Sequence, residues 1–294
     1  MAQGLAVTLY DEVRAALREA DFRPRKSLGQ NFLIHERVID SILRLLDLDA
    51  NAEVVEIGPG LGFLTRRLLD RASTVWAVEV DPILVERLRR SDIGTHANFR
   101  LIHGDILETP LPELLPQTRI RLVGNLPYSI STPVLFRILE WYKHFSRMVL
   151  MVQKEVADRI AGKPGTKDYG TLSVWCQIHG QITDKVSVSP EAFFPRPKVR
   201  STVLKIELFP KPLVAPEEIS LVRALVRAAF GQRRKTLSNA LSVWLKSGRG
   251  EIESFLHSQD IDPRRRGETL SVGEFVKLAR AARNQSALIN GTDH

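Results

Sequence analysis

Two hydrophobic periods alternate along most of this chain. Runs of aliphatic and β-branched residues near 53–57, 74–80, 99–102, 119–124 and 147–152 read as strands, and apolar positions at helical spacing near 61–71, 82–90, 131–143 and 153–161 read as helices between them. Strand–helix alternation of this kind predicts a mainly parallel sheet covered by helices on both faces. After a helical stretch at 171–178, Lys185–Val188 and Ser201–Leu208 read as two further strands. The link from Pro190 to Pro197 is too short for a helical crossover, so this last pair is expected to be antiparallel. Pro210, Pro212 and Pro216 then interrupt the pattern, and beyond Glu217 the apolar positions follow helical spacing, with Leu221, Leu225, Val226 and Ala229, then Leu237, Leu241 and Leu245, and later Phe255, Leu256, Phe275 and Leu278. Two domains are expected: residues 1–210, an α/β unit, and residues 211–294, a small all-α unit. Residues 1–20 read as a short amphipathic helix, Arg23 to Asn31 as a basic, non-helical lead-in, and 284–294 as a polar, disordered tail.

Composition narrows the class. With 44% hydrophobic and 26% charged residues over 294 positions, the chain is expected to be soluble and globular. Its longest uncharged apolar run, Met148–Val152, is too short to span a bilayer. Asp11, Glu12 and Glu19 sit where a secretory signal would need an apolar core. The single cysteine, Cys176, excludes an internal disulfide, and no Cys/His cluster suggests a metal. The expectation is a cytoplasmic protein with neither membrane nor metal partner. Net charge is +8, and residues 211–294 carry most of the excess, with 14 Lys and Arg against 9 Asp and Glu. Arg223, Arg227, Arg233, Arg234 and Lys235 follow one another without an intervening acid, and Arg264, Arg265 and Arg266 come later. Such a surface suits a polyanion. For Arg223 and Arg227 a plain solvated helix face explains the pattern as well.

The chemistry is concentrated in two motifs. Glu53-Val54-Val55-Glu56-Ile57-Gly58-Pro59-Gly60-Leu61-Gly62-Phe63 is a strand running into a glycine turn and then a helix with Leu61, Leu64, Leu68 and Leu69 on one face, the first unit of a nucleotide-binding sheet. The next strand carries Glu79, 21 residues after Gly58, placed to take two ribose hydroxyls. A dinucleotide fingerprint would need a third glycine at position 63, where the chain has Phe63. Gly58, Gly60 and Gly62 with Glu79 instead suit a ligand with adenosine but no diphosphate, such as S-adenosylmethionine (SAM). The second motif, Asn125-Leu126-Pro127-Tyr128, ends a strand. The Asn125 carbonyl and the Leu126 backbone carbonyl can accept from an exocyclic amine, and Tyr128 offers a ring face to a flat base.

Read in order, Lys26-Ser27-Leu28-Gly29-Gln30-Asn31-Phe32-Leu33, Glu56 to Gly62, Gly104-Asp105-Ile106, Asn125 to Tyr128 and Phe193-Phe194-Pro195-Arg196-Pro197-Lys198-Val199 resemble the motif series of the ribosomal RNA adenine N6-dimethyltransferases, KsgA type. The likeness runs from about residue 23 to 209, with no departure at a motif position. It implies a Rossmann-like sheet of seven strands with an antiparallel last pair, SAM as methyl donor, and dimethylation of two adjacent adenosines near the 3′ end of small-subunit rRNA in a partly assembled ribosomal particle, by a monomer. It also places Asn31 and Leu33 against SAM. Asp105 is expected to accept from the adenine amine of SAM, although a turn cap would explain it equally. A base in RNA must be flipped out to reach a buried methyl donor. Tyr128 is the first candidate to stack on it. One of Phe193 and Phe194 is the second, with Phe194 preferred and the other a core residue. Arg233, Arg234 and Lys235 are the expected RNA contacts. Two alternatives stand beside this reading: a large-subunit adenine methyltransferase of the antibiotic-resistance type, and a non-catalytic nucleic-acid-binding protein on the same fold.

Overall fold

A computed structural model describes residues 8–19, 23–25, 28–116, 119–232 and 234–284. Its elements are α1 (Leu9–Glu19), β1 (Phe32–Leu33), α2 (Glu36–Leu46), β2 (Glu53–Ile57), α3 (Phe63–Leu69), β3 (Thr74–Glu79), α4 (Pro82–Arg90), α5 (Asp92–Thr95), β4 (Phe99–His103), α6 (Leu111–Leu114), β5 (Ile120–Asn125), α7 (Ser131–Glu140), β6 (Phe145–Gln153), α8 (Lys154–Ile160), α9 (Thr171–His179), β7 (Gly180–Val188), β8 (Phe193–Phe194), β9 (Ser201–Leu208), α10 (Ile219–Gly231), α11 (Leu237–Leu245), α12 (Arg249–Ser258) and α13 (Val272–Asn284).

Seven strands form one sheet in the order β4-β3-β2-β5-β6-β9-β7, and β1 and β8 pair in a separate antiparallel ribbon. From β4 to β6 neighbours run parallel, and β9 runs antiparallel to β6. The expected antiparallel end is present, with β9 placed between β6 and β7. Val54 to Ile57 in β2 and Met148 to Val152 in β6 are buried without interruption. Strands covered on both faces read as continuous apolar runs and not as alternation.

The strand order reverses at β2, which has β3 on one side and β5 on the other. Crevices at such a reversal, beyond the carboxyl ends of the strands, are where open parallel sheets hold ligands. Ile57 stands opposite Gly124 in the β2–β5 register. A Cβ at Gly124 would lie 3.1 Å from both Ile57 Cβ and its carbonyl oxygen, so the two strand ends approach closely only with glycine there.

Besides the one-turn helices α5 and α6, one longer helix was not anticipated from the pattern. α2 buries Ile39, Ile42, Leu43 and Leu46, and ends at Asp47, whose φ of 51° turns the chain while its N–H bonds Leu43 C=O at 3.1 Å. The domain boundary also differs from a single cut near residue 210. One compact unit comprises residues 1–157 and 181–208, and the other comprises 158–180 and 209–294. The reason lies in α9, which is apolar nearly all round: Leu172, Val174, Trp175, Cys176 and Ile178 are all buried, and it packs on α10 and α13. Nearby, the Tyr169 ring meets Phe230 edge-on at 5.7 Å. A segment inserted between two strands of the sheet thus belongs to the helical core. Burial pushes the Cys176 thiol up to about 12, which fits an inert core residue.

Gly62 begins α3 with φ 86°, and a Cβ there would come within 2.2 Å of Ile93 Cδ1 and 3.0 Å of Leu88 Cδ2. Gly62→Ala is expected to lower stability by about 2–4 kcal/mol, combining left-handed strain with overpacking. Denaturant unfolding measures this, and an unchanged midpoint would contradict the packing role.

Candidate active site

A cavity of about 260 Å³ opens at the strand reversal, bordered by the carboxyl ends of β2, β3 and β5 and by the segment 28–33. Asn31, Leu33, Gly58, Gly60, Glu79, Asp105, Asn125, Leu126 and Tyr128 all line it. The sheet explains most of this gathering. Gly58 and Asn125 stand side by side because β2 and β5 are parallel neighbours, and Glu79 ends β3 on the other flank of β2.

On the β5 side, Asn125 Nδ2 donates to the Asn31 carbonyl at 2.9 Å. That bond sets the orientation of the amide and leaves Oδ1 as the acceptor presented to the cavity. The Leu126 N–H bonds the Met151 carbonyl at 3.0 Å, which fixes the next peptide plane. The Tyr128 hydroxyl shares a 2.7 Å hydrogen bond with the buried Ser201 hydroxyl at the start of β9. Burial pushes the phenol up, against the opposing effect of that bond, so the ring is neutral and held at its tip.

On the β3 side, Glu79 is 5% exposed. Its Oε2 accepts the Gly60 N–H at 3.1 Å and its Oε1 accepts the Asp81 N–H at 2.9 Å. A carboxylate has about four lone-pair sites, so these two bonds do not use up its capacity to accept. Burial raises this carboxyl and the Asp81 charge adds to the rise, with the backbone N–H groups of Asp81, Gly60 and Val80 pulling the other way. A Cβ added at Gly58 (φ 68°) would meet no protein atom within 4 Å, so backbone there borders open cavity. Asp105 lines the cavity and also caps its own turn, Oδ1 accepting the Leu107 N–H at 2.8 Å.

Two residues were missed by the sequence reading. Glu56, buried in β2, accepts from Thr65 Oγ1 at 2.7 Å and lines the cavity floor. A lone acid inside the apolar run Val54 to Ile57 was the available signal. Phe32 lines the cavity as well, its ring 3.2 Å from where a Gly60 Cβ would stand.

Other expected residues fall elsewhere. Gly62 is outside the cavity lining and serves the packing of α3. Phe194 is also outside the lining: it pairs with Phe32 across the β1–β8 ribbon and meets Tyr10 edge-on at 6.0 Å. Phe193 is 2% exposed, the core member of the pair. In the helical unit, Arg234 and Lys235 are exposed, while Arg233 lies outside the described residues, as do Lys26 and Ser27. The Arg264–Arg266 triplet is not a free basic patch. Arg264 pairs with Asp262 at 3.2 Å, Arg265 with Glu274 at 2.5 Å and Arg266 with Glu268 at 4.0 Å. Arg223 lies 5.8 Å over the Trp175 ring.

Among the described residues that line the cavity, Glu56, Glu79 and Asp105 are acidic and none is lysine or arginine. That charge balance disfavours a diphosphate and fits a cationic ligand with a ribose. Together with the seven-stranded mixed sheet, it defines a SAM-dependent methyltransferase. Comparison with known proteins gives the family. The profile for ribosomal RNA adenine dimethylase matches residues 21–283. A ribosomal RNA small subunit methyltransferase A of Geobacter metallireducens is 45% identical over 269 residues, covering 90% of this chain and 98% of that relative. One of Alkaliphilus oremlandii is 38% identical, covering 91% and 95%. Among solved structures, a dimethyladenosine transferase from Plasmodium falciparum shares the fold with a TM-score of 0.75 at 24% identity, covering 87% of this chain and 98% of that one. The 23S rRNA methyltransferase ErmE gives 0.65 at 26% identity, covering 85% and 99%. The chain belongs to the ribosomal RNA adenine dimethylase family.

Burial raises the Glu56 carboxyl to about 7 from an ordinary 4.5, with the Thr65 bond opposing and the charge of Glu79 adding to the rise. The folded protein therefore holds a proton that the unfolded chain has released, and stability falls as pH rises through that window. Glu56→Gln removes this titration. Its stability relative to wild type, without ligand, is expected to improve by up to about 3 kcal/mol between roughly pH 4.5 and pH 7. Denaturant midpoints across that range test it, and a pH-independent difference would show a carboxylate ionised throughout.

Proposed function

We propose that this enzyme dimethylates N6 of two adjacent adenosines near the 3′ end of small-subunit rRNA, acting as a monomer in the cytoplasm on a partly assembled particle. The relatives named for the small subunit, at 38–45% identity over about nine-tenths of the chain, favour this over the large-subunit target of ErmE at 26%. The observation that carries the chemistry is the Asn31–Asn125 hydrogen bond, which leaves an oriented amide oxygen at the end of β5.

Adenine N6 is a weak nucleophile because its lone pair is delocalised into the ring. Asn125 Oδ1 and the Leu126 carbonyl accept from the amine hydrogens, draw the nitrogen toward tetrahedral geometry and free that pair. Tyr128, anchored through Ser201, holds the face of the base. Phe194 is a second stacking surface on the rim, beyond the lining. Glu79 holds the ribose of SAM, Gly58 and Gly60 border its methionine part, and Asn31, Leu33 and Asp105 complete the enclosure. When bound, SAM supplies a methyl group on a sulfonium, and the remaining requirement is placement. Arg233, Arg234 and Lys235 bind RNA phosphates.

Two variants separate the halves of the site. Glu79→Ala should weaken SAM binding by about 1–3 kcal/mol by calorimetry, the cost of losing a charged hydrogen-bond partner. Asn125→Ala should leave that binding close to wild type and lower turnover by about a hundredfold, because its partner is the acceptor amine. Equal effects of both variants on SAM affinity would refute the division.

Neutralising Arg233, Arg234 and Lys235 together should weaken binding to small-subunit particles and reduce the log–log salt slope by about 0.7–0.9 per lost phosphate contact. SAM affinity should hold. A triple variant with wild-type slope, or equal methylation of a naked hairpin and of the particle, would contradict the particle as substrate.

A further inference from the structure

One side chain without a role so far joins the two flanks of the cavity. Gln30 Oε1 accepts the Arg25 N–H at 2.7 Å, and Gln30 Nε2 donates to Asp81 Oδ2 at 2.8 Å. Asp81 is fully buried; its Oδ1 accepts the Ile83 N–H at 3.0 Å to cap α4, and the Arg25 guanidinium stands 3.8 Å away. The Asp81 N–H is the donor to Glu79 Oε1 described above. On the other side of Gln30, the next carbonyl in the chain, that of Asn31, receives the Asn125 amide. A continuous path of bonds thus runs from Glu79 through Asp81, Gln30 and Asn31 to Asn125. Only an amide fits at position 30. It must accept from a backbone N–H at one end and donate to a carboxylate at the other, which neither glutamate nor lysine can do.

We propose that Gln30 is a positioning residue for methyl transfer: by tying the 28–31 segment to Asp81 it places the Asn31 carbonyl, and through it the Asn125 amide, in register with the cofactor side of the cavity. This rests on the functional reading above. An asparagine amide has two orientations of nearly equal intrinsic energy, and here its partner is a carbonyl on a segment that crosses the cavity mouth. Release of the segment frees the amide to turn or drift, which costs alignment of the acceptor while Glu79 and the glycine turn stay in place.

The test uses the full chain, SAM, and small-subunit particles lacking the modification. Gln30→Ala is expected to lower kcat about 10- to 100-fold while the SAM Kd moves less than about threefold. Gln30→Glu sets two carboxylates against each other, so its kcat should recover relative to wild type as pH falls from about 8 to about 6, where the pair can share a proton. Gln30→Ala should show no such recovery. Asp81→Asn keeps the helix cap but opposes two amide donors, and combined with Gln30→Ala it should be no slower than the worse single variant, because both break one link. Wild-type kcat in Gln30→Ala, a parallel loss of SAM affinity, or multiplicative losses in the double variant would overturn the coupling. Should Asp81→Asn fail to fold, the two Gln30 variants decide alone. If the wild type leaves these particles unmodified and methylates another RNA, the functional reading fails, and the same variants on that RNA still decide the coupling.

Discussion

The parallel pairing of β2 with β5 is the contact on which the site depends. These strands are separated in sequence by β3 and β4, and they meet because the order of the sheet reverses at β2. Their register sets Ile57 against Gly124, and the next residues, Gly58 and Asn125, follow side by side at the carboxyl edge. One of them opens the glycine turn and the other carries an amide, and both line the cavity. A one-residue slip would turn Asn125 to the opposite face of the sheet. The close approach at Gly124 is what keeps that register tight. Catalytic geometry here is therefore a property of strand pairing first and of side chains second.

The second requirement is a closure over the strand ends, and the chain supplies it from before the sheet. The segment 28–33 lines the cavity, then pairs with β8 through Phe32 and Leu33. Below it, α1 buries Val13 and Leu17 against Phe32, Leu61 and Leu84. Leu61 and Leu84 follow β2 and β3, so the same apolar cluster that seats the closure also holds the turns bearing Gly60 and Asp81. Apolar packing fixes the approximate position, and the hydrogen bonds of Gln30 and Asn31 select the direction of individual groups. The two scales of interaction do different work: burial is strong but undirected, and the bonds are weaker but directional.

Much of the fold was legible because buried parallel strands and amphipathic helices leave strong periodic signals. The strands near 53–57, 74–80, 99–102, 119–124 and 147–152 are present as β2 to β6. α2 is equally periodic, through Ile39, Ile42, Leu43 and Leu46, but it precedes the first long strand, outside the strand–helix alternation that marks the rest. The insertion carrying α9 could not be placed from pattern alone. An apolar helix between two strands looks like sheet cover, and only its contacts with α10 and α13 assign it to the helical unit. Within the site, the positions of Asn125 and Glu79 on the cavity wall were readable from the strand ends that carry them. Gly62 was misjudged because a glycine beside a ligand and a glycine beside a helix look alike in sequence, and the difference is Ile93, 31 residues away. Arg264 to Arg266 looked like a basic patch because Glu274 and Glu268 were not visible as their partners.

The charge pattern then has a physical logic. Glu56 and Glu79 are buried together, a costly arrangement that raises both carboxyls and weakens the ligand-free fold above the ordinary carboxylate range. Thr65 bonds Glu56, which keeps a proton beyond the ordinary carboxylate range, and the Gly60 and Asp81 N–H groups hold Glu79 in place. A cation entering the cavity favours the ionised form of both carboxyls and so opposes the rise that burial causes. The acids border the cavity in the sheet unit; in the helical unit Arg234 and Lys235 are exposed, while Arg264, Arg265, Arg266, Arg280 and Arg283 pair with Asp262, Glu274, Glu268 and Glu218. A basic residue inside the cavity would strengthen RNA attraction and at the same time repel the methyl donor. In a chain with a net charge of +8, the described lining of the cavity avoids that conflict by holding acids and neither lysine nor arginine.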